Sequence, residues 1–180
     1  EGQFDMSDIV FALKSKKANL GLKLESCVKQ DKTGVCFYSQ SKVALDMAEL
    51  NQEDIMRLIS EVQLAGDYEC IILDLDFAMD KNALKIWRQA HAVIWVGDGS
   101  EISNTKVHRA FTALSISEQN EDAPLMNRIS LIYNKFSNKT GKAINVNGLR
   151  EIGGAPRYEH AGTEQILKQL AGMEMFDKLI

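Results

Sequence analysis

This chain is poor in the residues that announce chemistry by themselves. It has three cysteines, three histidines and two prolines in 180 residues. Cys27, Cys36 and Cys70 are odd in number and show no Cys-x-x-Cys spacing. That argues against a zinc site or a disulfide framework, and the expected compartment is a reducing cytosol. No companion nucleophile motif accompanies His91, His108 or His160, so nothing points to a Ser-His-Asp or Cys-His centre. His160 and Glu164 are four apart, but Gly162 lies between them and a third ligand is lacking. No apolar run approaches the roughly 20 residues that cross a bilayer, and no stretch reads as a signal peptide. The formal net charge is only −4, which gives no electrostatic reason to expect nucleic-acid binding.

What is present is an alternation of short apolar runs with helical patterns. The central run is Tyr68 to Phe77. Cys70 to Leu73 is unbroken apolar sequence, as in a strand covered on both faces. Asp74 comes where that strand should run out, which is where ligands sit in open α/β sheets. Asp74 and Asp76 could equally begin a turn and cap the next helix. Ala92 to Val96 is a second apolar run, ending at Gly97-Asp98-Gly99-Ser100. Ile129 to Tyr133 is a third, ending at Asn134-Lys135. Strand, helix and strand in succession predict a three-layer α/β fold with a mostly parallel sheet flanked by helices. All the polar strand ends then share one edge.

Around this centre, Ser7 is the expected cap of a helix carrying Ile9, Val10 and Leu13. Its apolar face continues through Leu20, Leu24 and Val28, with Gly21 as a possible break. Asp31 to Gly34 is a turn before a strand at Val35 to Tyr38. Asn51 caps a helix with Ile55, Leu58, Ile59 and Val62 buried. Asp80 begins another, and a long one runs from about Ser103 to Asn120. Trp87 and Trp95 read as core. Ser137 to Gly148 is polar. Leu149 to Ile152 is a short edge strand, with Gly153 to Tyr158 as a loop after it. A last helix runs from Thr163 towards Ile180. No internal repeat or linker divides the chain, so 1–180 is expected to be one domain.

Two nucleotide or phosphate folds fit this alternation. A phospho-receiver would use Asp74, Asp76, Asp98 and Lys135, but Asp98 follows only one strand–helix unit after Asp76. A P-loop ATPase would use Asp74 near Mg²⁺, together with a G-x-x-x-x-G-K-[ST] loop. The only Gly-Lys pair is Gly141-Lys142, followed by Ala143 and with no Gly five residues earlier. The P-loop is not in this sequence.

The run from Asp67 through Ala113, with Asp74-Leu75-Asp76-Phe77 and Val96-Gly97-Asp98-Gly99-Ser100, resembles the later part of a MinD/ParA-type ATPase. Tyr133-Asn134-Lys135-Phe136, Gly153 to His160, and the early run Ala12 to Asn19 extend the likeness over nearly the whole chain. Within the superfamily the chain is most similar to the TadZ family of tight-adherence (Flp) pilus assembly. The resemblance implies ATP and Mg²⁺ as cofactors. Asp74 would be the metal-associated acid, acting through water. Asn134 would hydrogen-bond adenine, and Pro156 and Arg157 would pack around the base. Asn134 as a strand-end cap, Pro156 as a loop stiffener and Arg157 as a surface charge remain open.

The resemblance further implies a phosphate loop, first strand and first helix preceding Glu1, so that this chain is the C-terminal portion of the domain. It implies a homodimer favoured by nucleotide, pilus or secretion machinery as partner, and a place in the cytoplasm, at the inner face of the membrane or at a cell pole. The parent would be a weak ATPase, and this chain alone would not be an enzyme. Two features depart from the pattern. Asp76 takes a position where relatives carry Pro, and Phe77-Ala78 replaces a Gly-containing switch. A non-catalytic scaffold is therefore the rival expectation. The last helix carries Glu174 and Asp177 beside Lys168 and Lys178. It is expected to dock on its own domain, since a membrane-surface helix prefers a basic face.

Overall fold

The computed structural model describes residues 4–15, 19–120, 122–175 and 177. By its internal contacts the chain groups into two compact units, Glu1–Asp76 and Phe77–Ile180.

The first unit is built on helices. Helix α1 spans Met6–Lys14 and α2 spans Leu20–Cys27. Residues 16–18, between these two helices, lie outside the described residues, as does that part of the early run Ala12 to Asn19. Gly21, the expected break, sits inside α2. The cap of α1 is Asp5 and not Ser7. The Asp5 carboxylate accepts from the Ser7 N–H at 2.8 Å, and Asp8 accepts from the Asp5 N–H at 3.0 Å, a reciprocal box. The carboxylate outcompetes the hydroxyl, and Ser7 Oγ instead meets Ser41 Oγ at 2.6 Å.

Val28 leaves the helix. Strand β1 (Val28–Gln30) pairs antiparallel with β2 (Cys36–Tyr38). Asp31 closes the turn, its Oδ1 accepting from the N–H groups of Thr33 and Val35 at 2.8 and 3.0 Å. After the short helix α3 (Ala44–Ala48), Asn51 and Asp54 form a capping box for α4 (Gln52–Ala65). Ile9, Leu13, Leu20, Leu24, Cys27 and Val62 make the buried cluster of this unit. Fully burying a Leu or Ile side chain contributes roughly 1.5–3 kcal/mol.

The second unit carries the parallel sheet. Asp80 caps α5 (Lys81–Trp87) by accepting from the N–H groups of Asn82 and Ala83. Strand β3 (Val93–Gly97), helix α6 (Glu101–Ser117), strand β4 (Ile129–Phe136) and strand β5 (Arg150–Pro156) follow. The strand order is β3-β4-β5, parallel throughout. Residues 153–156 thus extend the edge strand and do not form the expected loop. Two glycines allow this, and Gly153 adopts φ +144°, which a side chain resists.

Strand β4 is central, and both its faces are covered. Ile129, Leu131 and Tyr133 join Trp87, Trp95, Val107, Phe111 and Leu114 on the side of α5 and α6. Ile132 joins Ile152, Ala155 and Met175 on the other side, with Leu170 and Met173 packed against them. The last helix, α7, ends at Ala171 (Thr163–Ala171) and docks through its C-terminal end, while Leu167 stays exposed. Phe176, Lys178 and Leu179, expected on that helix, lie outside the described residues. The fold is α/β, a parallel sheet with helical cover, as the alternation of the sequence predicts.

At the base of α6, Glu118 is fully buried. Arg88 Nη2 lies 2.5 Å from its Oε1, and the Met126 N–H donates to Oε2 at 3.2 Å. This ties the helix end to the turn that feeds β4.

Candidate functional site

The carboxyl edge of the sheet gathers three polar strand ends. After β3, the Asp98 carboxylate accepts from the Ser100 N–H at 2.9 Å, and this bond holds its pKa below the usual carboxylate value. Asp98 thus closes a turn, and Ser100 caps α6 by accepting from the Ser103 N–H. Gly99, at φ +77°, lies against the Phe136 ring, where a Cβ would fall 2.4 Å from a ring carbon.

At the end of β4 the ladder is irregular. Tyr133 pairs with Gly154 and Phe136 with Pro156, so Asn134 and Lys135 together oppose Ala155 alone. Lys135 takes φ +57°, the one left-handed non-glycine among the described residues. Such bulges re-aim side chains and are frequent beside functional sites. Across the bulge, the Arg157 N–H donates to the Phe136 carbonyl at 3.1 Å. Asn134, Pro156 and Arg157 are all exposed. The fold therefore brings Asn134, Pro156 and Arg157 to adjacent parallel strand ends. Tyr158, next in sequence, has a buried hydroxyl without a partner among the described residues.

Asp74 belongs to the first unit, and residues 70–79 form no strand. A strand exists only through its ladder, and this segment pairs with no other among the described residues. Ile71 packs on the helical cluster, while Ile72 is 86 % exposed and Asp74 is exposed with it. Neither Asp74 nor Asp76 caps the next helix, since Asp80 does so. Phe77 is anchored: its ring stands 5.3 Å from Trp95 and 6.0 Å from Trp87, centroid to centroid.

Asn134 brings a side-chain amide to the carboxyl edge of the sheet, with Pro156 and Arg157 on the neighbouring strand end. An amide offers a donor and an acceptor together, as adenine's edge does. The sequence holds no phosphate loop, and no three His, Cys, Asp or Glu side chains among the described residues gather as a metal site.

No family model matches the sequence, and no curated protein matches it. Among solved structures, the chain is similar to a ParA family ATPase from Chlorobium tepidum TLS. The TM-score is 0.65 at 17 % identity, over 99 % of this chain and 74 % of that one. The fold is therefore that of a ParA-type P-loop ATPase. At that identity the likeness concerns the fold.

Sequence reasoning missed Asn104. Its amide donates to the carbonyls of Gly99 at 3.2 Å and Lys142 at 2.8 Å. A lone Asn on a helix gives no signal, because the clamp depends on a loop 38 residues away.

Proposed function

We propose that the protein is a nucleotide-binding organiser of the MinD/ParA type, in which Asn134, Pro156 and Arg157 receive the adenine of ATP. The observation that carries this reading is the placement of those three residues on adjacent parallel strand ends, within a fold similar to a ParA family ATPase. Asp74 is the candidate Mg²⁺-associated acid, acting through water. ATP acts as a ligand that favours the paired state of two copies, and differential affinity for that state drives the shift. In its TadZ-like form, the role is spatial: placing pilus-secretion machinery at the inner face of the membrane or at a cell pole. The chain has no nucleic-acid partner in this reading. Among the described residues no helix is long and apolar enough to cross a membrane, and membrane contact is indirect or weak.

A second reading is a scaffold that keeps the fold without hydrolysis. Phe77 favours it. The ring that replaces a Gly-containing switch is packed against Trp87 and Trp95, which opposes the backbone freedom that a switch needs. Photolabelling of the native protein with 8-azido-ATP separates the two. The nucleotide reading expects label on the peptides that carry Asn134 or Pro156, removed by excess ATP. Label spread over the surface and unaffected by ATP would favour the scaffold.

A further inference from the structure

A cavity lies beside α6, lined by neither Asn134 nor Pro156. Its volume is about 570 Å³, within the range of small-molecule sites. One wall is a face of α6, where Glu101, Thr105, His108 and Arg109 recur at helical spacing. The other wall is the loop after β4, with Thr140, Lys142 and Ile144.

That loop is fixed in place. The Lys142 N–H donates to the Gly99 carbonyl at 2.9 Å, and the Ile144 N–H donates to the Tyr133 hydroxyl at 2.7 Å. Asn104 crosses between the walls, spending both amide hydrogens on the Gly99 and Lys142 carbonyls. Turning the amide over would set its oxygen against two carbonyl oxygens, so its orientation is determined. Its Oδ1 is buried, with no partner among the described residues, and Asn104 braces the two walls.

The charge of the walls is unbalanced. Arg109 and Lys142 carry fixed positive charge, His108 adds a third nitrogen base, and Glu101 alone is acidic. Two threonine hydroxyls can donate to oxygen. Guanidinium, ammonium and hydroxyl donors together suit a phosphate group, and the Glu101 carboxylate on the same wall suits a ligand that also carries an O–H. We infer that this cavity binds a small phosphomonoester bearing free hydroxyl groups, of the sugar-phosphate kind. Arg109 and Lys142 hold the phosphate, Thr105 and Thr140 donate to it, and the Glu101 carboxylate accepts from a hydroxyl. None of Asn134, Pro156 and Arg157 lines this cavity.

The test is a titration of the native protein at low salt with ribose 5-phosphate, inorganic phosphate and ribose, followed by amide chemical shifts. Ribose 5-phosphate is expected to saturate with shifts centred on Thr105, Thr140 and Lys142, and to bind more tightly than inorganic phosphate or ribose. Arg109→Ala and Lys142→Ala change exposed residues, and each is expected to weaken it about tenfold, the loss of one charge-assisted hydrogen bond. A circular dichroism spectrum unchanged in both variants guards against misfolding. Binding by inorganic phosphate as tight as by the ester would overturn the assignment. So would shifts centred on Asn134 and Arg157, affinity untouched in both variants, or no saturation at all.

Discussion

Phe136 and Pro156 stand opposite each other at the ends of two parallel strands, and the Arg157 N–H closes the pair by donating to the Phe136 carbonyl at 3.1 Å. This contact holds Asn134 and Arg157 on one edge. Pro156 fixes its own φ and narrows the unfolded ensemble. Pro156→Gly is expected to lower stability by about 1 kcal/mol and to weaken nucleotide-dependent behaviour beyond that. Urea denaturation measures the first effect, and ATP titration of the native protein measures the second. Unchanged values in both would remove Pro156 from the site.

Lys135 is exposed and sits at φ +57°. A left-handed conformation costs a non-glycine residue roughly 1–2 kcal/mol, part of which glycine recovers. Lys135→Gly is expected to raise stability by about 0.5–1 kcal/mol after its greater unfolded-state entropy is subtracted. A fall in the denaturation midpoint would mean that the lysine side chain has a structural partner.

Gly153 answers to a different constraint. A Cβ built there falls 2.9 Å from Met175 Cβ, at φ +144°. Gly153→Ala is expected to cost about 2 kcal/mol by overpacking. Met175→Ala should not rescue it, because alanine keeps the clashing Cβ. Thermal melts of the single and double variants decide, and full rescue would place the clash further out along the Met175 side chain.

The pH dependence of the first unit turns on Asp54. Its carboxylate accepts from Lys14 Nζ at 2.6 Å and from the Asn51 N–H at 3.0 Å, and these bonds lower its pKa below the ordinary 3.8. A lowered pKa contributes stability that is present above the unfolded value and is lost as pH falls through the folded value. Lys14→Ala should therefore be less stable than the parent near neutral pH by at most about 1 kcal/mol, given the exposure of the pair. The gap should close in acid. A gap that stays constant down to about pH 2 would show that Lys14 acts through packing instead.

Sequence alone carried the parallel alternation, because β3 and β4 are apolar runs that end at polar turns. Asn51 and Asp80 were legible as caps, since a side-chain cap is a local event. Of the β1–β2 hairpin, the turn at Asp31 to Gly34 and the strand ending at Tyr38 were legible, but β1 was not. Val28 keeps helical spacing with Leu20 and Leu24, and only pairing with Tyr38 reveals its strand. Tyr68 to Phe77 misled in the opposite direction: apolar content permits a strand, but a ladder must supply the partner. Of the site, the residue types were readable at Asn134, Pro156 and Arg157. Their adjacency depended on β5 continuing through Gly153 and Gly154. The Asn104 clamp was unreadable, because it joins a helix to a distant loop.

The most direct test of the nucleotide reading is the mass of the native protein in solution with ATP and Mg²⁺, with ADP, and with neither, repeated for Asn134→Ala and Asp74→Ala. The account expects ATP to shift monomer to dimer, and both variants to reduce that shift. A state of assembly that is the same in all three conditions, and the same in both variants, would contradict it and leave the scaffold in its place.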